Sequence, residues 1–191
     1  MHRFPHVSRL ALSAAGLLLV AVTATAQTAQ TAQTAQPAPA AATRLHEADQ
    51  AFVADGTKTV STQHDAARIA DSRTSDSQVK AFAQRVSADD ERIIQALRAA
   101  SPRGVDVPAN DPDAAVLDGI KRLRGAEFDK AYIEQVALAG QQKAISAFQA
   151  EIASGRDTQL KEVARRSLPI LQKHYADAQT LAERHHLASA Q

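Results

Sequence analysis

His174 stands where an amphipathic helix calls for a leucine. The inward positions of the last long helical stretch read Leu160, Val163, Ser167, Leu171, His174, Ala178 and Leu181. This three-and-four spacing marks a buried helix face. An imidazole there can ligate a metal, move a proton or hold a neighbour by a hydrogen bond. Asp90 belongs to the matching face of an earlier stretch: Val79, Phe82, Val86, then Asp89 or Asp90, then Ile93 and Leu97. His64 and Asp65 follow Gln63 on the first stretch. The sharpest chemistry these types allow is a transition-metal ion held by His174 and Asp90, with help from His64 or Asp65.

That set is short of ligands. Catalytic zinc takes three protein ligands and structural zinc four. A di-iron bundle uses four carboxylates and two Glu-x-x-His motifs. The Glu-x-x-His of this chain, Glu183-Arg-His-His186, lies at the end of the last helix, where His185 and His186 also suit the negative end of the helix dipole. The plainer expectation is a buried His174 hydrogen-bonded to Asp90 or Gln63, and a third reading is a His174–Asp90 pair that titrates near neutral pH. For nucleophilic catalysis there is no cysteine, no Gly-x-Ser-x-Gly elbow and no phosphate-cradling glycine loop. Ser167 reads as a small packing residue, and Tyr132 and Tyr175 as core aromatics with wet hydroxyls. No catalytic or cofactor-binding residue is expected, and the chain reads as a non-enzyme.

The elements that would position these residues are all helical. Alternating β-branched runs are missing, and alanine, glutamine and arginine dominate. The first helix is expected over about His46–Ser72, with Phe52, Gly56, Val60, Gln63, Ala67 and Ala70 inward. The second starts at Ser75, whose Ser75-Asp76-Ser77-Gln78 fits a capping box, and ends near Ser101-Pro102-Arg103-Gly104. After a loop, Asp111-Pro112 starts a short helix carrying Val116, Leu117, Ile120 and Leu123. Gly125 interrupts it. The third main helix runs from Ala126 to about Ser154, with Phe128, Tyr132, Val136, Ala139, Gln142, Ile145, Phe148 and Ile152 inward. Gly155 closes it, and Asp157 or Thr158 caps a last helix to about Leu187. Pro169 should kink that helix without breaking it, because the apolar stripe stays in register. Four helices of this length, paired by short turns and joined by one long connection, predict an all-α fold: a ferritin-like four-helix bundle with a long middle crossover that contains a short extra helix.

The other end of the chain reads as an address. Arg3 and Arg9 precede an apolar run, Leu10–Val22, and Ala24-Thr25-Ala26 is a small-x-small cleavage site. Residues 1–26 therefore read as a cleaved signal peptide, with Gln27 as the mature start. The run is shorter than the ~20 residues that span a bilayer, and no transmembrane segment is expected in the mature chain. Four Thr-Ala-Gln repeats over residues 25–36 and Pro37-Ala38-Pro39-Ala40 have no large apolar residue to bury. Residues 27–44 read as a disordered tether, leaving 45–188 as one helical domain. Without Arg3 and Arg9, the 22 basic residues fall to 20 against 21 acidic ones, which argues against a nucleic-acid partner. The sole methionine is Met1, and Cys and Trp are absent. The core must come from packing alone, without disulfides.

Several stretches together carry a resemblance. They are Phe52-Val-Ala-Asp, Val79-Lys-Ala-Phe-Ala-Gln-Arg-Val86, Phe128-Asp-Lys-Ala-Tyr132, and Ser167-Leu-Pro-Ile-Leu-Gln-Lys-His174 followed by Ala178 and Leu181. In this order they resemble the DUF4142 family of exported bacterial proteins, often labelled outer-membrane proteins. The resemblance covers the whole helical part. It implies a ferritin-like bundle and no established activity. It also implies four inward polar sites, a glutamate and three histidines, which fall here on Gln63, Asp90, Gly140 and His174. Only His174 keeps its histidine, and Gly140 supplies no side chain. The expected function is accordingly a structural or interaction role with an unidentified envelope partner, in the periplasm or envelope of a Gram-negative bacterium. The alternative is a ferritin-like metal-binding protein built on the residual His/Asp layer.

Overall fold

The computed structural model describes residues 45–187. The expected signal peptide and tether, residues 1–44, lie outside the described residues. Five helices and no strand occur among those described. Helix α1 joins an α-helix over Glu47–Ala51, a π-helical turn over Phe52–Gly56 and an α-helix over Thr57–Arg73. Helix α2 spans Ser77–Ala99 and the short α3 spans Ala114–Lys121. Helix α4 joins Gly125–Ala131, a π-helical stretch over Tyr132–Leu138, and Ala139–Ser154. Helix α5 spans Thr158–Arg184 and runs through Pro169 without a break.

Two of the expected starts move. Helix α2 is capped by Asp76 and not by Ser75: the Asp76 carboxylate accepts from the N–H groups of Gln78 and Val79 at 2.8 and 2.9 Å, while Thr74 Oγ1 accepts from the Asp76 N–H. Helix α3 is capped by Asp113 and not by Asp111. The cause is tertiary. Thr62 Oγ1 of α1 accepts the Asp113 N–H at 2.8 Å and so ties the start of α3 to α1. Asp157 caps α5, again through two N–H groups. Each carboxylate satisfies N–H groups that have no partner inside the helix.

Helix α1 packs along α2, and α4 along α5; α2 then rests on α5, α1 on α4, and α3 on α1. The apolar side chains between them form two clusters. One gathers Phe82, Val86, Phe128, Tyr132, Ile133, Leu138 and Leu181. The other gathers Phe52, Val60, Ile93, Leu97, Phe148, Leu160 and Leu171. Phe52 meets Phe148 edge-on at 4.9 Å between ring centres, the geometry favoured by the ring quadrupoles.

The expected inward faces of α1, α2 and α5 are the buried ones, with Asp90 rather than Asp89 on the α2 face. On α4 the expectation holds for Phe148 but fails at the other positions past Val136. Gln142 is exposed and Ile145 and Ile152 are half-buried, while Leu138, Gln141, Ala144, Phe148 and Glu151 are buried. The π stretch inserts one residue into the turn. The buried series therefore steps five residues from Tyr132 to Ala137 before resuming at 141, 144, 148 and 151.

At the α4–α5 turn, Asp49 of α1 accepts the backbone N–H groups of Arg156 at 2.8 Å and Asp157 at 3.0 Å. Its partner is Glu151, buried beside it. Burial raises the Asp49 pKa, but the two backbone bonds and the bond from Glu151 outweigh this and leave it below the ordinary value. Burial, then the charge of Asp49 and the hydrogen bond to it, push Glu151 up to about 7. Burial and the Asp49 charge thus favour the protonated form of Glu151. A Cβ at Gly155 would meet the Glu151 carboxyl, which would have to shift.

A carboxyl group whose folded pKa lies above its unfolded value stabilises the fold fully below the unfolded pKa, and that contribution is lost as pH rises through the folded one. For Glu151 the window runs from about 4.5 to about 7. Chemical denaturation at pH 5 and pH 8 is expected to show wild type losing up to about 3 kcal/mol relative to Glu151→Gln, which does not titrate. Parallel pH profiles of the two proteins would refute the raised pKa of Glu151.

Candidate functional site

The two apolar clusters are separated by one polar layer to which each long helix contributes a residue. On α1, Gln63 lies between Val60 of one cluster and Ala66 and Ala67 of the other. On α2, Asp90 lies between Val86 and Ile93; on α4, Gln141 lies between Leu138 and Ala144; on α5, His174 lies between Leu171 and Ala178. All four polar residues are buried. Three of them stand on the inward faces read from the sequence. Gln141 does not, because the π stretch of α4 brings it inward by one residue in place of Gly140.

The layer is only partly paired. Gln141 Nε2 donates to Gln63 Oε1 at 3.0 Å. His174 Nε2 lies 3.0 Å from Asp89 Oδ2. A carboxylate only accepts, so Nε2 carries the proton. The partner of His174 is therefore neither Asp90 nor Gln63, as expected from sequence, but Asp89, which reaches in from the half-buried edge of α2. Arg92 holds Asp89 from the other side at 2.7 Å. Burial lowers the His174 pKa, and the bond to Asp89 offsets this only in part. The ring therefore favours its neutral form, with Nδ1 as a bare acceptor that has no protein partner.

Asp90 has neither oxygen hydrogen-bonded within the protein. Burial first, and the charge of Asp89 second, hold its pKa well above the usual carboxylate range, which favours the neutral acid. The hydroxyl of Tyr132 is likewise buried without a partner, and burial together with Asp90 pushes its pKa up. Tyr132 does not have the wet hydroxyl expected of it. Tyr175 is half-buried and accepts a hydrogen bond from Gln142 at 2.7 Å.

His64 and Asp65 are brought together, but away from His174. His64 Nδ1 is 3.0 Å from Asp65 Oδ1, its Nε2 faces Glu91 at 3.5 Å, and Asn110 donates to the other Asp65 oxygen at 3.0 Å. This pair belongs to the seam between α1, α2 and the long connection. At the far end of α5, His185 faces Asp76 at 3.7 Å, and His186 takes a positive φ of 53° just past the helix. Among the described residues, no group of three or more His, Asp or Glu side chains is arranged to hold a metal ion.

A groove of about 750 Å³ opens beside the layer, between α1 and α4. Gln63, Gly140, Lys58 and Lys143 are in its lining. The sequence carried no sign of this groove, because its mixed lining comes from three separate elements.

Two substitutions in the layer should act in opposite directions. His174→Ala removes packing and the bond to Asp89 and is expected to lower stability by about 2–3 kcal/mol. Tyr132→Phe removes a buried hydroxyl that has no partner, and its unfolding midpoint is expected to equal or exceed that of wild type. Denaturant titrations of both proteins check this; a strongly destabilised Tyr132→Phe would mean that the hydroxyl is bonded.

No curated protein and no solved structure gives a significant match to the chain. The family described as "Domain of unknown function (DUF4142)" matches residues 23–181. That stretch takes in the layer and the helices that build it, and the chain belongs to the DUF4142 family.

Proposed function

We propose that this chain is an exported protein of the periplasm or envelope of a Gram-negative bacterium, and that its folded part is a ferritin-like four-helix bundle with a long middle crossover. In this reading it works by contact with an envelope partner and not by catalysis. One observation carries the non-enzymatic reading: the polar layer is enclosed between two apolar clusters, and its paired members bind one another or a neighbouring carboxylate. Such a layer suits a register-setting role for the helices. The side-by-side packing of α1 with α2 and α4 with α5, joined through the connection that holds α3, supports the bundle. Export rests on the leader-like pattern of residues 1–26. No helix among the described residues is long and apolar enough to cross a membrane.

The alternative, a transition-metal ion at Asp90 and His174, has in its favour the unpartnered oxygens of Asp90 and Nδ1 of His174. The donor set does not fit. His174 uses Nε2 on Asp89, burial favours the neutral form of Asp90, and His64 and Asp65 are engaged elsewhere. Two side chains fall short of the three or four that a zinc site takes.

The test is to express the full gene untagged in a Gram-negative host and fractionate the cells. The reading expects periplasmic protein whose N-terminal sequence starts at Gln27, and retention in the cytoplasm with an intact leader would overturn export. After soaking with Fe(II), Zn(II) or Cu(II) and desalting, mass spectrometry is expected to find far less than one metal per chain. One or more per chain, lost in His174→Ala, would replace this reading with the metal-binding one.

A further inference from the structure

The first segment of α1, Glu47–Ala51, buries one side chain, and that side chain is the carboxylate of Asp49. Leu45, just ahead of it, is half-buried, and Glu47 and Gln50 are exposed. The segment rests on α4, and what holds it there is polar. Asp49 Oδ1 accepts the N–H groups of Arg156 and Asp157 at 2.8 and 3.0 Å, both in the turn that joins α4 to α5. The π-helical turn Phe52–Gly56 follows directly. Its Phe52 and Val53 are buried in the second apolar cluster, which anchors that turn.

Glu151 is the second buried acid at this contact, 1% exposed like Asp49. Its carboxyl fills the space that a side chain at residue 155 would need, so it lies against the same turn that Asp49 holds. Burial opposes the charge of Asp49, but its backbone bonds outweigh this and keep it ionised. Burial and that charge in turn disfavour the ionised form of Glu151. Lys161 attracts a charge on Glu151 and Asp157 repels it, while His46 faces Asp49 from the start of α1. Arg103, Asp106 and Asp111 of the long connection share a groove with Leu45 and Gln50, not with the two acids. Undocking the segment takes Asp49 away and admits water to Glu151. The ionised acid therefore prefers the undocked segment and the neutral acid the docked one.

We propose that Asp49 and Glu151 form a pH-operated latch on the first segment of α1. With Glu151 neutral, Glu47–Ala51 docks on the α4–α5 turn. With Glu151 ionised, its proton has passed to water and the segment swings out about the π-helical turn. The docked pKa of about 7 lies above the ordinary 4.5, so docking is strongest below about 4.5, weakens as pH rises to about 7 and levels off above. Glu47–Ala51 connects residues 1–44 to the rest of the fold, and the latch thereby controls how that leading chain is attached. This inference does not depend on where the chain resides or on its having an envelope partner.

The chain has no cysteine, so spin labels can be placed singly. The test is the label-to-label distance in the otherwise intact protein carrying Glu47→Cys and Ser154→Cys, two exposed positions, measured by double electron–electron resonance. One short distance is expected at pH 5. At pH 8 a longer, broader population is expected, with the docked-to-released ratio lowered by about ten-fold or more. A control pair on the bodies of α2 and α4, Lys80→Cys with Gln149→Cys, should not change. Adding Glu151→Gln should keep the segment docked at both pH values. Should that variant not fold, Asp49→Asn, whose amide oxygen can still accept the two N–H groups, should likewise remove the pH dependence. The same distances at pH 5 and pH 8, an equal change in the control pair, or an unchanged response in a folded Glu151→Gln would each overturn the latch.

Discussion

The fold depends on keeping four polar side chains at one level between two apolar clusters. Burying a polar group against apolar neighbours costs several kcal/mol unless it finds a partner. Sliding any long helix by a turn would push Gln63, Asp90, Gln141 or His174 into one of those clusters and a leucine or phenylalanine into the layer. Apolar contacts alone tolerate such slips, because one aliphatic side chain substitutes readily for another. The Gln63–Gln141 and His174–Asp89 bonds do not. They link α1 to α4 and α5 to α2, across the two pairs that short turns have already joined. The layer thereby ties together the two helical pairs that chain connectivity leaves separate.

The layer holds its helices without being fully satisfied. Asp90, Tyr132 and Nδ1 of His174 lack protein partners, and burial favours the uncharged form of both Asp90 and His174. Neutral groups keep the desolvation cost moderate. The Asp49–Glu151 pair, at the turn between α4 and α5, solves a similar problem differently. There burial favours a protonated Glu151 beside a charged Asp49, and two backbone N–H groups stabilise that charge. The two arrangements differ because Asp49 meets a turn, where backbone donors are free, whereas Asp90 meets helices whose donors are already used.

The buried faces of α1 and α5 were legible residue by residue, since period and burial agree along their length. Helix α1 absorbs its π turn because its buried face is two residues wide there, with Phe52 and Val53, Gly56 and Thr57, Val60 and Ser61 all inward. Helix α4 was misread in part past Val136: Phe148 is buried as expected, Ala139, Gln142, Ile145 and Ile152 are not, and nothing in Tyr132–Leu138 announces a π stretch. His174 was found and its partner missed. Asp89 and Asp90 are neighbours on the helix, and only the three-dimensional reach of the imidazole decides between them. The Asp49–Glu151 pair was invisible, since no local pattern links residues a hundred positions apart.

The π stretch of α4 also makes this protein unequally tolerant of changes in length. A deletion of one residue within Tyr132–Leu138 is absorbed by return to an ordinary helical turn, whereas a deletion at Ala139 or Gly140, in regular α-helix, rotates everything after it by about 100°. Gln141, Phe148 and Glu151 would leave the interior together, taking with them a layer member, an aromatic contact and half of the carboxyl pair. For this chain, the spacing between Leu138 and Gln141 carries information of its own, separate from the identity of the residues that fill it.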